Sequence, residues 1–87
     1  MENVPAEQLG RTTRQIGAAI RRRRRALKLS QTQLGDKAGL RQATISALES
    51  GDTGTQLRTL VDVLAALGLE MVLRERSQAG ETIGQLF

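Results

Sequence analysis

The stretch SQTQLGDKAGLRQATISALE, residues 30–49, decides the fold of this chain. It divides into two short segments at Gly39, a residue that accepts the left-handed conformation in which many helices end. Each segment has an apolar stripe at helical spacing. The four stripe residues are Leu34, Ala38, Ile45 and Leu48. The pattern predicts two short helices joined by a tight turn, a helix-turn-helix. An αα-hairpin from any small helical bundle is the alternative.

The ends of these two central helices are also marked in the sequence. Ser30 can cap the first one, and Gln33 three residues later completes a capping box. The second should run from about Arg41 to Glu49. Arg41 has no side-chain oxygen with which to cap it, so this helix begins without a cap worth about 1 kcal/mol.

A longer helix is expected before the central pair. It should begin at Thr12 or Thr13 and end near Leu27. Ile16, Ile20 and Leu27 fall on one face at helical spacing and predict its buried side.

A fourth helix is expected after the central pair. Thr55 is positioned to cap it, and Gly68 should end it after about Leu67. Its inner face is predicted from the apolar positions Leu57, Leu60, Val61, Leu64 and Leu67.

The residues that follow Gly68 alternate between apolar and polar, which favours a strand over residues 69–74. Leu69, Met71 and Leu73 would share one of its faces. A lone strand leaves backbone groups unpaired, and a copy of itself across a two-fold axis would pair them. The alternative is that the fourth helix continues, because several of these residues also fit helical spacing.

The composition narrows the possible functions. Eighty-seven residues form one domain, and the chain has no Cys and no His. We therefore expect no disulfide, no metal site, no cofactor and no enzyme activity. The longest apolar stretch is too short for a bilayer and the N-terminus does not resemble a signal peptide, so we expect no membrane association and a cytoplasmic, nucleoid-associated protein.

The charge is uneven along the chain. Residues 1–41 hold ten basic and three acidic residues, a net +7, whereas residues 42–87 hold three basic and six acidic residues, a net −3. A basic half that contains a helix-turn-helix favours double-stranded DNA, whose phosphates such a field attracts. A protein-interaction module without DNA binding is the alternative of a different class.

Five consecutive arginines, residues 21–25, wrap fully around the first helix and cannot all face solvent. Arg24 is four residues after Ile20 and lies on the core stripe. A buried guanidinium needs a partner, and Glu49 is the obvious carboxylate, so an Arg24–Glu49 ion pair is predicted. The other four arginines of the run are expected at the surface, where Arg22 and Arg25 are candidates for contacts with DNA phosphate, with a merely solvated face as the alternative.

The types of residue at fixed spacings along the predicted helices resemble the pattern of a known family. The pattern Ile20-Arg21-x-x-Arg24, Ser30-Gln31-x-x-Leu34, Gly39, Thr44-Ile45-Ser46 and Glu49 is similar to the lambda-repressor-like, XRE-type DNA-binding domain over about residues 12–68. The segment 41–46 and the later Leu69-x-Met71-x-Leu73 resemble HipB-type antitoxins. The resemblance implies a mostly α bundle of four to five helices with one C-terminal strand paired across a dimer.

The resemblance also implies roles for individual residues. Arg41, Gln42, Ala43 and Ser46 would face the bases, and Gln31, Thr32 and Thr44 would contact phosphates. The chemistry agrees, since Gln can pair with adenine, Ala can touch a thymine methyl group and Ser is permissive. The implied partners are a palindromic operator, a second copy of the chain and a HipA-like kinase toxin.

With this resemblance, the sequence implies a dimeric, operator-binding repressor that is the antitoxin of a HipA-like kinase and regulates its own operon. A stand-alone XRE-type or phage-type repressor is the alternative. The predicted organisation is a flexible arm at 1–10, the DNA-binding domain at 11–68, the dimerisation strand at 69–76 and a flexible tail at 77–87. Phe87, the only aromatic residue, is a candidate anchor for a partner's pocket.

Overall fold

The computed structural model describes residues 9–76. Within that range the chain forms four helices and no strand, which confirms the predicted mostly α fold class. The helices are α1 (Thr13–Ala26), α2 (Gln31–Ala38), α3 (Gln42–Glu49) and α4 (Leu57–Ala66). No helix among the described residues is long and apolar enough to cross a membrane. The predicted arm and tail lie almost wholly outside these residues, as does Phe87.

Helix α1 begins at a capping box. The Thr12 hydroxyl accepts the backbone N–H of Gln15 at 3.1 Å, and the Gln15 side chain accepts the Thr12 N–H at 3.2 Å. These contacts satisfy backbone donors that a helix start otherwise leaves free. Ile20 is fully buried and Ile16 is half-buried, as predicted, but Leu27 is 41% exposed because it follows the last turn of the helix.

The turn between α2 and α3 follows the sequence prediction. Ser30 caps α2 and forms a capping box with Gln33. Gly39 ends α2 with φ of 72°, the left-handed conformation expected of it. The turn allows α2 to pack against both α3 and α4. The position of α3 therefore depends on the left-handed conformation of Gly39.

Helix α4 differs from the prediction in its cap and its buried face. Gln56, not Thr55, precedes the helix, and its side chain makes no cap hydrogen bond. Leu57 and Val61 are 67% and 50% exposed, whereas Val63 is fully buried. The helix is rotated from the predicted setting, because apolar residues occupy more than half of its circumference and spacing alone does not select a face.

One core cluster joins the four helices. Its buried apolar members are Ile20, Leu34, Ile45, Leu48, Val63 and Leu67. Helix α1 approaches α3 closely at Gly17, where an added Cβ would lie 2.5 Å from the carbonyl oxygen of Leu48. This close approach brings the C-terminal turn of α3 against α1.

The segment after α4 is not a continuation of that helix. Leu67 caps the helix, and Gly68 follows with φ of 70°. Residues 69–76 have no regular secondary structure in the single chain. The predicted strand is therefore not formed there. A strand needs a second strand for its hydrogen bonds, and the described residues provide none for this segment.

Candidate nucleic-acid interface

Helix α3 has one buried face and one accessible face. Ile45, Leu48 and Glu49 are buried. On the other side, Gln42 and Ala43 are exposed and Ser46 is half-buried, and Arg41 is exposed just before the first turn. We call Arg41, Gln42, Ala43 and Ser46 the reading face. The core thus fixes α3 while leaving this surface accessible.

Arg41 occupies the N-cap position of α3. Its backbone is extended, with φ of −79° and ψ of 152°, and its side chain makes no cap hydrogen bond. A Ser or Asp at such a position would accept a backbone N–H and stabilise the helix. The arginine provides no such bond, and its long cationic side chain stays free to reach outward.

The predicted ion pair is present beneath this surface. Arg24 Nε donates to Glu49 Oε2 at 2.6 Å, and Arg24 Nη2 donates to Glu49 Oε1 at 3.0 Å. Arg24 Nη1 also donates to the carbonyl oxygen of Leu29 at 2.7 Å. Both charged side chains are buried, and hydrogen bonding to Glu49 raises the pKa of Arg24. The pair connects α1, α3 and the loop that leads into α2.

A chain of hydrogen bonds extends from this ion pair to the surface. Gln31 Nε2 donates to Glu49 Oε1 at 3.2 Å, and Gln42 Nε2 donates to Gln31 Oε1 at 2.6 Å. The direction follows from Glu49, because an ionised carboxylate can only accept. The NH₂ group of Gln31 must therefore face Glu49. The side-chain oxygen of Gln31 then faces Gln42 and accepts from the NH₂ group of Gln42. The family resemblance implied that Gln31 and Gln42 face DNA, but the contact between the two side chains was not predicted.

The arginines of residues 21–25 differ in how deeply their side chains are buried. Arg24 is buried, whereas Arg22 and Arg25 are exposed as predicted. Arg23 differs from the expected surface position. It is half-buried, and its Nε donates to the carbonyl oxygen of Leu67 at 2.9 Å. Arg23 therefore holds the C-terminal end of α4 against α1 and is not a candidate for DNA contact.

The remaining predicted residues divide between the two ends of the domain. Thr32 is exposed in the first turn of α2, next to Gln31 in sequence, and Thr44 is half-buried on α3, between Ala43 and Ser46 in sequence. Leu69, Met71 and Leu73 lie in the segment after α4. Leu69 is half-buried against the core, while Met71 and Leu73 are 45% and 91% exposed. Met71 and Leu73 are therefore not buried in the single chain, whereas Leu69 is partly buried.

These features define the class of the protein: a helix-turn-helix domain, in which the second helix of the motif is the one that enters the DNA major groove. No group of acidic side chains that could hold a metal ion occurs among residues 9–76. The chain belongs to the HTH_3 family of helix-turn-helix domains, which matches residues 20–73. The resemblance to XRE-type domains is thereby confirmed.

Curated relatives carry the same domain within longer proteins. The chain is 44% identical over 61 residues to an uncharacterized HTH-type transcriptional regulator, y4dL, of Sinorhizobium fredii, covering 70% of this chain and 31% of that protein. It is also 44% identical over 45 residues to an uncharacterized HTH-type transcriptional regulator of Haemophilus influenzae, covering 52% of this chain and 46% of that one. The chain thus spans less than half the length of either relative.

Solved structures of HipB are similar over most of the chain. A HipA-HipB-O2-O3 complex matches with a TM-score of 0.72 and 27% sequence identity, covering 88% of this chain and 100% of the matched chain. A HipB-O4 20mer complex matches with a TM-score of 0.71 at the same identity and coverage. The fold is therefore HipB-like.

Proposed function

We propose that this protein is a sequence-specific DNA-binding transcriptional repressor that acts as a homodimer. The observation that carries the proposal is the reading face of α3, which is exposed and whose Gln42 is held by a chain of hydrogen bonds to a buried ion pair. A side chain fixed before binding loses less conformational entropy when it meets its target. The HTH-type regulators among its relatives support the same conclusion.

The hydrogen bonds also specify what Gln42 can recognise. One N–H of its amide is donated to Gln31, which leaves its second N–H and its carbonyl oxygen. That combination of one donor and one acceptor matches N7 and N6 of adenine in the major groove. Ala43 and Ser46 add a methyl contact for thymine and a permissive hydroxyl. Arg41 supplies a cation for guanine or phosphate.

Phosphate contacts would orient the domain on the duplex. Gln31 keeps one amide N–H beyond the bond to Glu49, and Thr32 and Thr44 carry hydroxyls near the reading face. The exposed Arg22 and Arg25 add charge on α1. Such contacts fix the register and carry no sequence information directly.

The dimer would form through residues 69–76. Met71 and Leu73 expose apolar surface in the single chain, and residues 70–75 form no strand with any other part of residues 9–76. Antiparallel pairing with the same segment of a second copy would cover this apolar surface and would supply the backbone hydrogen bonds of a strand. It would also place two copies of α3 about one DNA turn apart, or a multiple of it, and would require a palindromic operator.

The partner protein would be a HipA-like kinase, with this chain as its antitoxin. The likeness to HipB in a HipA-HipB-O2-O3 complex supports this role. Co-expression with a HipA-like kinase encoded beside the gene should restore growth that the kinase alone inhibits, and the two proteins should co-purify. Absence of both effects would leave a stand-alone XRE-type or phage-type repressor.

The DNA proposal is tested by one substitution on the reading face. Gln42→Ala should cost about 1–3 kcal/mol at a single base pair of the preferred site and relax the preference there. Titrations of the wild type and the variant against the selected duplex and against single-pair substitutions of it measure this. Equal losses at every position, or the wild-type ratio of specific to scrambled binding, would contradict the assigned reading face.

A further inference from the structure

Lys28 has an unusual backbone conformation. Its φ is 58°, and it is the only residue other than glycine with a positive φ in residues 9–76. The left-handed region is unfavourable for a residue that has a Cβ, and it is used routinely only by Gly and less often by Asn or Asp. A lysine there is a strained choice at a position where glycine would fit without strain.

The structure on both sides keeps Lys28 in this conformation. Its backbone N–H donates to the carbonyl oxygen of Arg25 at 2.9 Å. The carbonyl oxygen of the next residue, Leu29, accepts a hydrogen bond from the buried Arg24, and Ser30 then caps α2. Together with the Leu29 N–H, which donates to the carbonyl oxygen of Arg24 at 3.1 Å, the bond from Lys28 forms the Schellman motif that ends α1, in which the left-handed residue is usually glycine.

The surroundings of the Lys28 side chain favour an anion. The side chain is exposed, and no carboxylate among residues 9–76 forms an ion pair with it. Its neighbours in the chain include the cationic Arg24 and Arg25. The ammonium group is therefore available to an external anion.

The position of Lys28 indicates which anion this is. Three peptide units separate it from Gln31, so the two Cα atoms lie within about 11 Å of each other. Gln31 contacts Gln42 of the reading face, so the Lys28 side chain, on a flexible four-carbon stem, starts at the same edge of the domain. DNA held against the reading face would carry its phosphates past this edge.

We propose that Lys28 is a DNA phosphate-binding residue, and that lysine is retained for its charge at a left-handed helix-end position where glycine would be free of strain. This inference rests on the proposed DNA-binding function. It adds a contact at the loop between α1 and α2 that neither the sequence pattern nor the arginine run indicated.

The test is the variant Lys28→Gly, which removes the charge and the strain together. Stability and DNA affinity should then change in opposite directions. The Tm should rise by about 2–8 °C. Affinity for a duplex selected by the wild-type protein should fall about eightfold at 0.1 M salt, and the slope of log K against log salt should become shallower by about 0.9.

Two matched variants separate a local contact from a loss of net charge. Lys28→Arg keeps the charge and should retain both the Tm and the salt slope. Lys37→Gln removes one charge from the last turn of α2, at the opposite end of that helix from Gln31, and should leave the salt slope unchanged.

The outcomes distinguish this proposal from the function on which it rests. If the wild type binds its selected duplex and Lys28→Gly has the same salt slope, Lys28 does not contact phosphate and only the present proposal fails. If the wild type selects no duplex and shows no salt-dependent affinity, the proposed DNA-binding function fails and this proposal fails with it.

Discussion

Removal of Glu49 should destabilise the domain more than almost any other single substitution. In Glu49→Ala, Arg24 would stay buried and would lose the acceptors of its Nε and Nη2 groups, keeping only the Leu29 carbonyl. An unsatisfied buried donor costs about 1–3 kcal/mol, so two cost about 2–6 kcal/mol. The usual penalty for breaking a buried ion pair from one side, about 3–5 kcal/mol, lies within that range.

This magnitude is large for so small a domain. At about 4–8 °C per kcal/mol, the Tm should fall by at least about 8 °C. Small domains have a total stability of only about 5–15 kcal/mol, so a substantial fraction of Glu49→Ala should be unfolded at physiological temperature. Thermal melts followed by circular dichroism, together with urea titrations, would measure the loss.

Two control variants make the test specific. Arg25→Met removes an exposed arginine next to Arg24 and should change stability by no more than about 0.5 kcal/mol. The double variant Arg24→Met/Glu49→Leu replaces both charges by apolar groups and should recover most of the loss, because no unpaired charge remains. If Glu49→Ala melted within about 4 °C of the wild type, the pair would not be buried in solution and the reasoning would be refuted.

Three further predictions follow from the geometry. Arg41→Ser should add about 1 kcal/mol of stability through a new cap on α3 and weaken DNA binding; an unchanged urea midpoint would show that the cap does not form. Gln31→Ala should relax the base preference at the position read by Gln42 with little effect on folding, and a double-mutant cycle of the two residues should give a coupling energy of about 0.5–3 kcal/mol. Strictly additive losses would mean that the hydrogen bond between them does not orient Gln42. Truncation after Gly68 should give a monomer with weak, non-cooperative DNA binding, and sedimentation as a dimer with full affinity would show that the helices alone form the interface.

The local signals that the sequence carries were sufficient for the central motif. Ser30, Gln33 and Gly39 act through the backbone within a few residues, so their roles could be predicted without tertiary information. The Arg24–Glu49 pair could also be predicted, because both residues lie on or beside apolar stripes and a buried charge requires a partner. The capping box of Thr12 and Gln15 was missed, although its residues have the same spacing as those of Ser30 and Gln33.

Other features depend on tertiary packing and could not be predicted from spacing. Helix α4 has apolar residues on most of its surface, so the choice of Val63 over Leu57 and Val61 depends on how α2 meets it. The contact between Gln31 and Gln42 joins side chains that lie eleven residues apart on two helices. The conformation of Lys28 had no signal in the sequence, because lysine is not a residue that predicts positive φ.

The central claim is that α3 reads DNA sequence from a dimer, and selection of duplexes from a randomised pool by the full-length protein tests it most directly. The expected result is recovery of a palindrome whose half-sites are about 34 Å apart, or a multiple of that distance. Binding to it should be at least about 10³-fold tighter than to a scrambled duplex and should weaken steeply as salt increases. Recovery of no common sequence, or equal affinity for the selected and the scrambled duplex, would contradict the account.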